Sequence, residues 1–166
     1  MGEKEFSLRN SEDRERAKKY LEYIRWKGAV KCGNCELADS LNIYEAYNGT
    51  PYPQCTRCGL RVSVKTNTLL NGMKMKPLVI IYLVQGFIKD KDYIPDKSEA
   101  TYITFGAFRK IRKLVLPIIK KIKFKKSDSL KVKTDAVLKI LLTPLKISKR
   151  RKPKRTKLND NFLQTA

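Results

Sequence analysis

Two cysteine pairs, Cys32-Gly33-Asn34-Cys35 and Cys55-Thr56-Arg57-Cys58, hold all four cysteines of the chain and constrain its fold more than any other feature. Two intervening residues let a tight turn aim both sulfurs at one ion, because zinc–sulfur bonds of about 2.3 Å in a tetrahedron set the ligands about 3.8 Å apart. Gly59, directly after the second pair, suits the backbone reversal. The chain has no histidine. A single metal would therefore be held by the thiolates of Cys32, Cys35, Cys55 and Cys58, with no open position for water or substrate. That describes one structural Zn2+ rather than a catalytic ion. Disulfides, an iron–sulfur cluster and a redox pair are the alternatives, but an unsecreted chain keeps its thiols reduced, which favours the metal.

The residues around these pairs read as short strands. Asn48-Gly49 lies between Ile43 to Tyr47 and Thr50 to Gln54, as a hairpin turn does. Pro51 and Pro53 confine the return strand to an edge or an irregular path. Leu60, Val62 and Val64 alternate with Arg61 and Ser63 and predict a third pairing segment. Tyr44, Tyr47 and Tyr52 are expected to pair across the hairpin rather than stack on bases. A zinc ion also accounts for the stability of so small a sheet, since metal binding adds folding free energy that a core of ~40 residues does not reach alone.

The flanking sequence is helical. Ser11 is a candidate N-cap, Glu12 and Asp13 complement the positive end of a helix dipole, and Ala17, Tyr20, Leu21 and Ile24 recur at helical spacing, which predicts a helix from about Glu12 to Trp26. Trp26 is expected in the core. Pro77 suits a first helical position ahead of a buried helix over Leu78 to Ile88, and Lys97 to Ile103 reads as a further short helix. Thr104 can cap a longer one, in which Phe105, Phe108, Ile111, Leu114 or Val115, Ile118 and Ile122 share a face and Pro117 introduces a kink or a break. Thr134 to Leu142 predicts a last helix. The expected fold class is α+β: an N-terminal helix (1–27), a small antiparallel zinc ribbon (28–75), a mainly α-helical, helix-turn-helix-like basic module (76–126), and a short helix with a basic disordered tail (127–166).

Charge narrows the function. There are 37 Lys and Arg against 16 Asp and Glu, a formal net charge of +21. No fold requires such an excess, whereas a polyanionic partner does. After Phe105 the only carboxylates are Asp128, Asp135 and Asp160, and the stretch KISKRRKPKRTKL places eight Lys or Arg within thirteen residues. An anionic membrane surface would call for a lipid anchor or a strongly apolar face. The opening MGEKEFSLRNSED has no apolar leader segment, and Phe6 stands where a myristoylation signal wants Ser or Thr. The apolar run Leu78 to Val84 is far short of the ~18 residues that span a bilayer. Nucleic acid is the expected partner, no membrane is expected, and the protein is expected to be intracellular, in cytoplasm, nucleoid or nucleus, or in a virion.

Residues 20–122 resemble the N-terminal region of zinc-ribbon insertion-sequence transposases of the DDE type. Tyr20-Leu21-Glu22 and Arg25-Trp26 with Gly28 precede the first cysteine pair, Ser63, Val64, Thr66 and Thr68 follow the second, and Lys76-Pro77-Leu78 opens the next helix. The resemblance implies a zinc ribbon followed by a helix-turn-helix that recognises DNA ends, with Thr104 to Leu116 as the recognition segment. The first pair departs from the family in lacking a Cys-Pro opening, and Val62 replaces a common Phe. The three acidic residues after Phe105 form no metal-binding triad of the kind two-metal phosphoryl transfer needs, so the chain by itself is not expected to be an enzyme.

Duplex DNA is thus expected ahead of RNA. Arg109 and Arg112 are candidates for base edges, and Lys110, Lys113, Lys120, Lys121 and Lys123 for phosphates. Arg57 and Arg61, with Lys65, stand on or beside the second knuckle. Lys149, Arg150, Arg151, Lys152, Lys154 and Arg155 of the tail are expected to add sequence-indifferent, salt-dependent affinity and to serve as a nuclear-localisation signal in a eukaryotic host. Two other readings compete. One is a structural or accessory component of a nucleoprotein assembly such as a ribosome, RNA polymerase or virion, with protein partners of its own. The other is the DNA-binding part of a split transposase. The oligomeric state is not encoded in any motif.

Overall fold

The computed structural model describes residues 6–35, 40–46, 49 and 51–145. The described elements run α1 (Glu12–Trp26), β1 (Leu41–Glu45), β2 (Pro51–Cys55), α2 (Pro77–Lys89), α3 (Phe105–Lys121) and α4 (Leu130–Leu142), an α+β chain as the sequence predicts.

The four helices share one hydrophobic core extending from Leu8 to Leu142. Segments 1–27 and 127–145 thus supply two of the three helices packed around α2. That helix is buried on nearly every side through Leu78, Val79, Ile80, Ile81, Leu83, Val84 and Phe87, as expected of a helix apolar all round. Both α2 and α4 pack against the other three helices, whereas α1 and α3 do not meet. Phe87 joins α2 to α3 through Phe108, with ring centroids 5.5 Å apart, and Tyr20 of α1 donates its hydroxyl proton to Asp135 of α4. Burial and that carboxylate push the Tyr20 phenol well above its ordinary value.

Several local expectations are met and several are corrected. Pro77 opens α2, and Thr104 caps α3 by accepting the Ala107 N–H at 3.2 Å. Ser11 stands at the N-cap of α1 without a capping side-chain bond; Asn10 accepts the Glu12 N–H instead, at 3.0 Å. Pro117 does not divide α3. It removes one helical N–H, and both Pro117 and Lys113, whose carbonyl would have accepted that bond, are exposed to water. Phe105 lies off the apolar face and is 73% exposed. The last helix begins at Leu130, four residues earlier than its apolar pattern suggests, because Ser129 caps the Val132 N–H at 3.3 Å.

The short helix expected over Lys97 to Ile103 is a series of hydrogen-bonded turns. Asp96 accepts from the Ser98 and Glu99 amides at 2.7 and 2.9 Å. Glu99 in turn accepts from the hydroxyls of Tyr82 and Tyr93. These bonds hold the segment on α2, and a stretch this short does not offset the cost of helix nucleation. Gly86 is required beneath it, because a Cβ there would lie 2.6 Å from the Tyr93 ring.

The β-hairpin is peripheral: β1 and β2 pair antiparallel, Leu41 opposite Cys55 through Glu45 opposite Pro51, and neither packs on a helix. Tyr44 and Tyr52 face each other in this register with centroids 6.3 Å apart, the cross-strand pairing expected of them. Tyr47 lies outside the described residues. The third segment forms an isolated bridge, Gln54 opposite Arg61, rather than a strand. Val62 and Val64 are buried with Arg61 and Ser63 outside, but Leu60, expected on the same face as the valines, is exposed because no strand continues there to carry it inward.

Candidate metal centre and basic surface

The two cysteine pairs converge. The sulfurs of Cys32, Cys35, Cys55 and Cys58 all lie within 4.8 Å of one another. Cys32 Sγ is 3.6 Å from Cys58 Sγ, and Cys55 Sγ is 4.0 Å from Cys35 Sγ. These separations straddle the about 3.8 Å expected between ligands on a zinc tetrahedron, and they are far beyond the about 2.05 Å of a disulfide. All four thiols are free. Four thiolates close the coordination sphere, so this is a single structural zinc site.

Each ligand is held differently. Cys32 and Cys55 are fully buried and form a small core with Val62; Cys58 is exposed. Burial raises the Cys32 thiol and pushes Cys35 up to about 12, with the hydrogen-bonded neighbouring cysteines adding to the Cys35 shift. Burial also acts to raise Cys55, but hydrogen bonds from Ser40 and from the amides of Cys58 and Arg57 outweigh it and bring this thiol down to about 6. Ser40 Oγ lies 3.3 Å from Cys55 Sγ, and the Asn34 N–H points at Cys32 Sγ at 3.5 Å. Such contacts satisfy sulfur lone pairs that the metal leaves free.

The brace behind the site comes from residues outside the two cysteine pairs. Arg25, at the end of α1, donates to the carbonyls of Ser63, Val64 and Thr66 at 2.9, 2.6 and 2.7 Å. Its guanidinium also sits 5.0 Å from the Trp26 ring centroid. Burial lowers its pKa while the charge of Cys32 raises it. Trp26 packs against both the helical core and the cysteine core, which bears out the core role expected of it. Gly33 is needed inside the first pair because a Cβ would fall 2.7 Å from the Arg25 guanidinium and 2.9 Å from the Thr66 carbonyl. Asn67, held at a φ of 57°, donates to the carbonyls of Gly33 and Leu145 at 2.7 and 3.1 Å. It thereby fastens the end of the described chain beside the first knuckle. A left-handed Asn is a weak signal in sequence, and no spacing rule pairs Arg25 with the carbonyls of Ser63, Val64 and Thr66.

The expected nucleic-acid residues are partly assembled. Arg109, Lys110, Lys113, Lys120 and Lys121 are exposed on α3, and Lys123 is exposed just beyond its end. Arg109 lies 5.6 Å from the Phe105 ring centroid. Arg112 is half-buried, with Asp92 at 3.7 Å, so it is less available to a base edge than its spacing implies. Arg57 is exposed in the turn between Cys55 and Cys58, and Arg61 is exposed over the Tyr52 ring at 4.2 Å. Lys65 is turned inward and donates to the carbonyls of Met73 and Met75; its burial lowers the ammonium pKa. It props the loop ahead of α2 instead of facing a groove. Lys149, Arg150, Arg151, Lys152, Lys154 and Arg155 lie outside the described residues.

No helix among the described residues is long and apolar enough to cross a membrane. Comparison with family models, with curated proteins and with solved structures yields no match to this chain.

Proposed function

We propose that this protein is a zinc-stabilised nucleic-acid-binding protein whose first target is duplex DNA, with α3 as the element that meets the nucleic acid. The observation that carries this reading is the composition of α3: Arg109, Lys110, Lys113, Lys120 and Lys121 are exposed on a helix that contains no carboxylate. Backbone phosphates are the complementary surface. Arg109, exposed and held over the Phe105 ring, is the side chain best placed for a base edge. In a helix-turn-helix interpretation, α2 is the helix preceding α3, joined to it through residues 90–104 rather than through a tight turn. The resemblance to transposase end-recognition modules suggests a sequence-reading role without strand cleavage, either alone or beside a separate nuclease chain.

The test is fluorescence anisotropy of the zinc-loaded protein across several salt concentrations, with duplex DNA from its own locus competing against random duplex and single-stranded RNA. A preference for the native duplex that survives high salt supports sequence readout. Arg109→Ala then lowers that preference by roughly tenfold, the loss expected of one base contact at 1–3 kcal/mol. Equal binding to all three competitors overturns the duplex-reading role. A second reading has its own observation. Ile43 is 69% exposed at the hairpin, an apolar knob suited to docking on a protein within a nucleoprotein assembly. Preference for RNA, with a stable protein complex lost on Ile43→Asp, favours that assignment.

A further inference from the structure

A cleft of about 490 Å³ is bordered by Leu8 and Arg14, by the segment leading into α2 and by the first turns of α2 and α3, within the size range of ligand pockets. Its cations are Arg14, Lys74, Lys76 and Lys110, and no carboxylate lines it. Among the described residues none of the four has a carboxylate within salt-bridge distance. Its apolar wall is made by Leu8, Met73, Met75, Leu78 and Val79, with Tyr102 at the rim. Tyr102 is 42% exposed, and Met73 is half-buried. An aromatic ring and a thioether thus line the same cleft, and each is a surface on which a flat ring can lie.

The helix ends add to this charge. Neither α2 nor α3 has an acidic residue in its first turn, and α2 has no capping side chain at all. The first amides of a helix have no partner within it, and Thr104 takes up only that of Ala107 in α3. Gly106 lines the cleft, and a Cβ there would meet nothing within 4 Å, so the backbone is open to a ligand. Positive helix ends, four cations and no compensating carboxylate describe a place for an anion. The apolar wall excludes a bare inorganic anion as the best fit, because it would leave that surface uncovered.

We propose that this cleft is a second binding site, for one nucleotide, whose phosphate is held by Lys74, Lys76 and the first turn of α3 and whose base lies against Tyr102 and Met73. This inference rests on the nucleic-acid reading for the source of that nucleotide, a terminal or unstacked unit of a bound strand. It adds to α3 a site for a single unpaired residue beside the surface that meets the duplex.

The experiment is calorimetric and NMR titration of the zinc-loaded full chain with adenosine 5′-monophosphate, adenosine, inorganic phosphate and octyl phosphate. The mononucleotide is expected to saturate, to bind at least tenfold more tightly than inorganic phosphate or adenosine, and to shift the amides of residues 101–107. Lys74→Glu with Lys76→Glu, both exposed, is expected to weaken the mononucleotide at least tenfold with the thermal melt unchanged. Tyr102→Ala should weaken the mononucleotide but not inorganic phosphate. Equal affinity for phosphate and mononucleotide, tighter binding of octyl phosphate, or no saturation each overturns the site. Duplex binding is measured on the same preparations. Duplex binding without mononucleotide binding removes this inference and spares the proposed function; mononucleotide binding without any strand binding removes the proposed function and leaves a site for free nucleotide.

Discussion

The hairpin and the helices reach a folded state by opposite means. In the helical part, fully buried side chains such as Leu21, Leu83, Phe87, Ile111 and Leu138 interlock in one core, and removal of apolar surface from water is sufficient driving force. In the hairpin, β1 is exposed along most of its length, and the buried cluster consists of Cys32, Cys55 and Val62. A two-stranded hairpin is marginal in water. What stabilises it is the metal that ties the end of β2 to the first knuckle. One molecule thus contains a part whose stability is set by packing and a part whose stability is set by ligand chemistry, joined at Arg25 and Trp26.

The largest break in that contrast comes from the metal. Structural zinc contributes on the order of 10–16 kcal/mol in small domains at neutral pH. Cys55→Ser, or a strong chelator, is therefore expected to abolish stoichiometric zinc binding and collapse the hairpin resonances, while helical circular dichroism from the four-helix core persists. Full loss of helical signal would show that the two parts are one cooperative unit. The pH dependence sharpens the point. The fold lowers the Cys55 thiol from 9.0 to about 6, so its contribution to the folded site is fully present above pH 9 and is lost as pH falls through about 6. Zinc loading at pH 7 should release protons from Cys32 and Cys35, whose thiols the fold raises. A pH indicator in weak buffer reads that release, and zinc affinity is expected to fall steeply below about pH 6.

Next in size is Phe87→Ala. Phe87 is fully buried against Phe108 and Tyr93, and such truncations cost about 3–5 kcal/mol. The helical melt should drop sharply while zinc stoichiometry is retained at low temperature. Arg25→Ala is expected to cost less, about 1.5–3 kcal/mol from hydrogen bonds to a charged group. Its signature is distinctive: thermal unfolding should split into two transitions as the brace between α1 and the 63–66 carbonyls is lost. A single sharp transition in the variant would assign the coupling to Trp26 instead.

The metal site was almost wholly legible in sequence because its chemistry is local. Two residues between cysteines, a glycine after the second pair and the absence of histidine dictate ligand set and coordination without any knowledge of the core. Pro77 and Thr104 are legible for the same reason: a helix start is decided by its first few residues. The segment 97–103 is not a helix because its helical pattern competes with Asp96 and with two tyrosines, Tyr82 of α2 and the neighbouring Tyr93, that converge on Glu99.

By itself, then, the sequence determined the four ligands, the α+β class, the helix starts at Pro77 and Thr104 and the cationic character of α3, since each depends on residue type and short spacing. Tertiary structure alone decided that Lys65 turns inward, that Arg112 lies near Asp92, that Arg25 braces the knuckles, and that Arg14, Lys74, Lys76 and Lys110 surround one cleft. Charges far apart in the chain acquire a shared function only when packing fixes the distance between them, because Coulombic and hydrogen-bond energies fall off over a few ångströms of space rather than over residues of sequence.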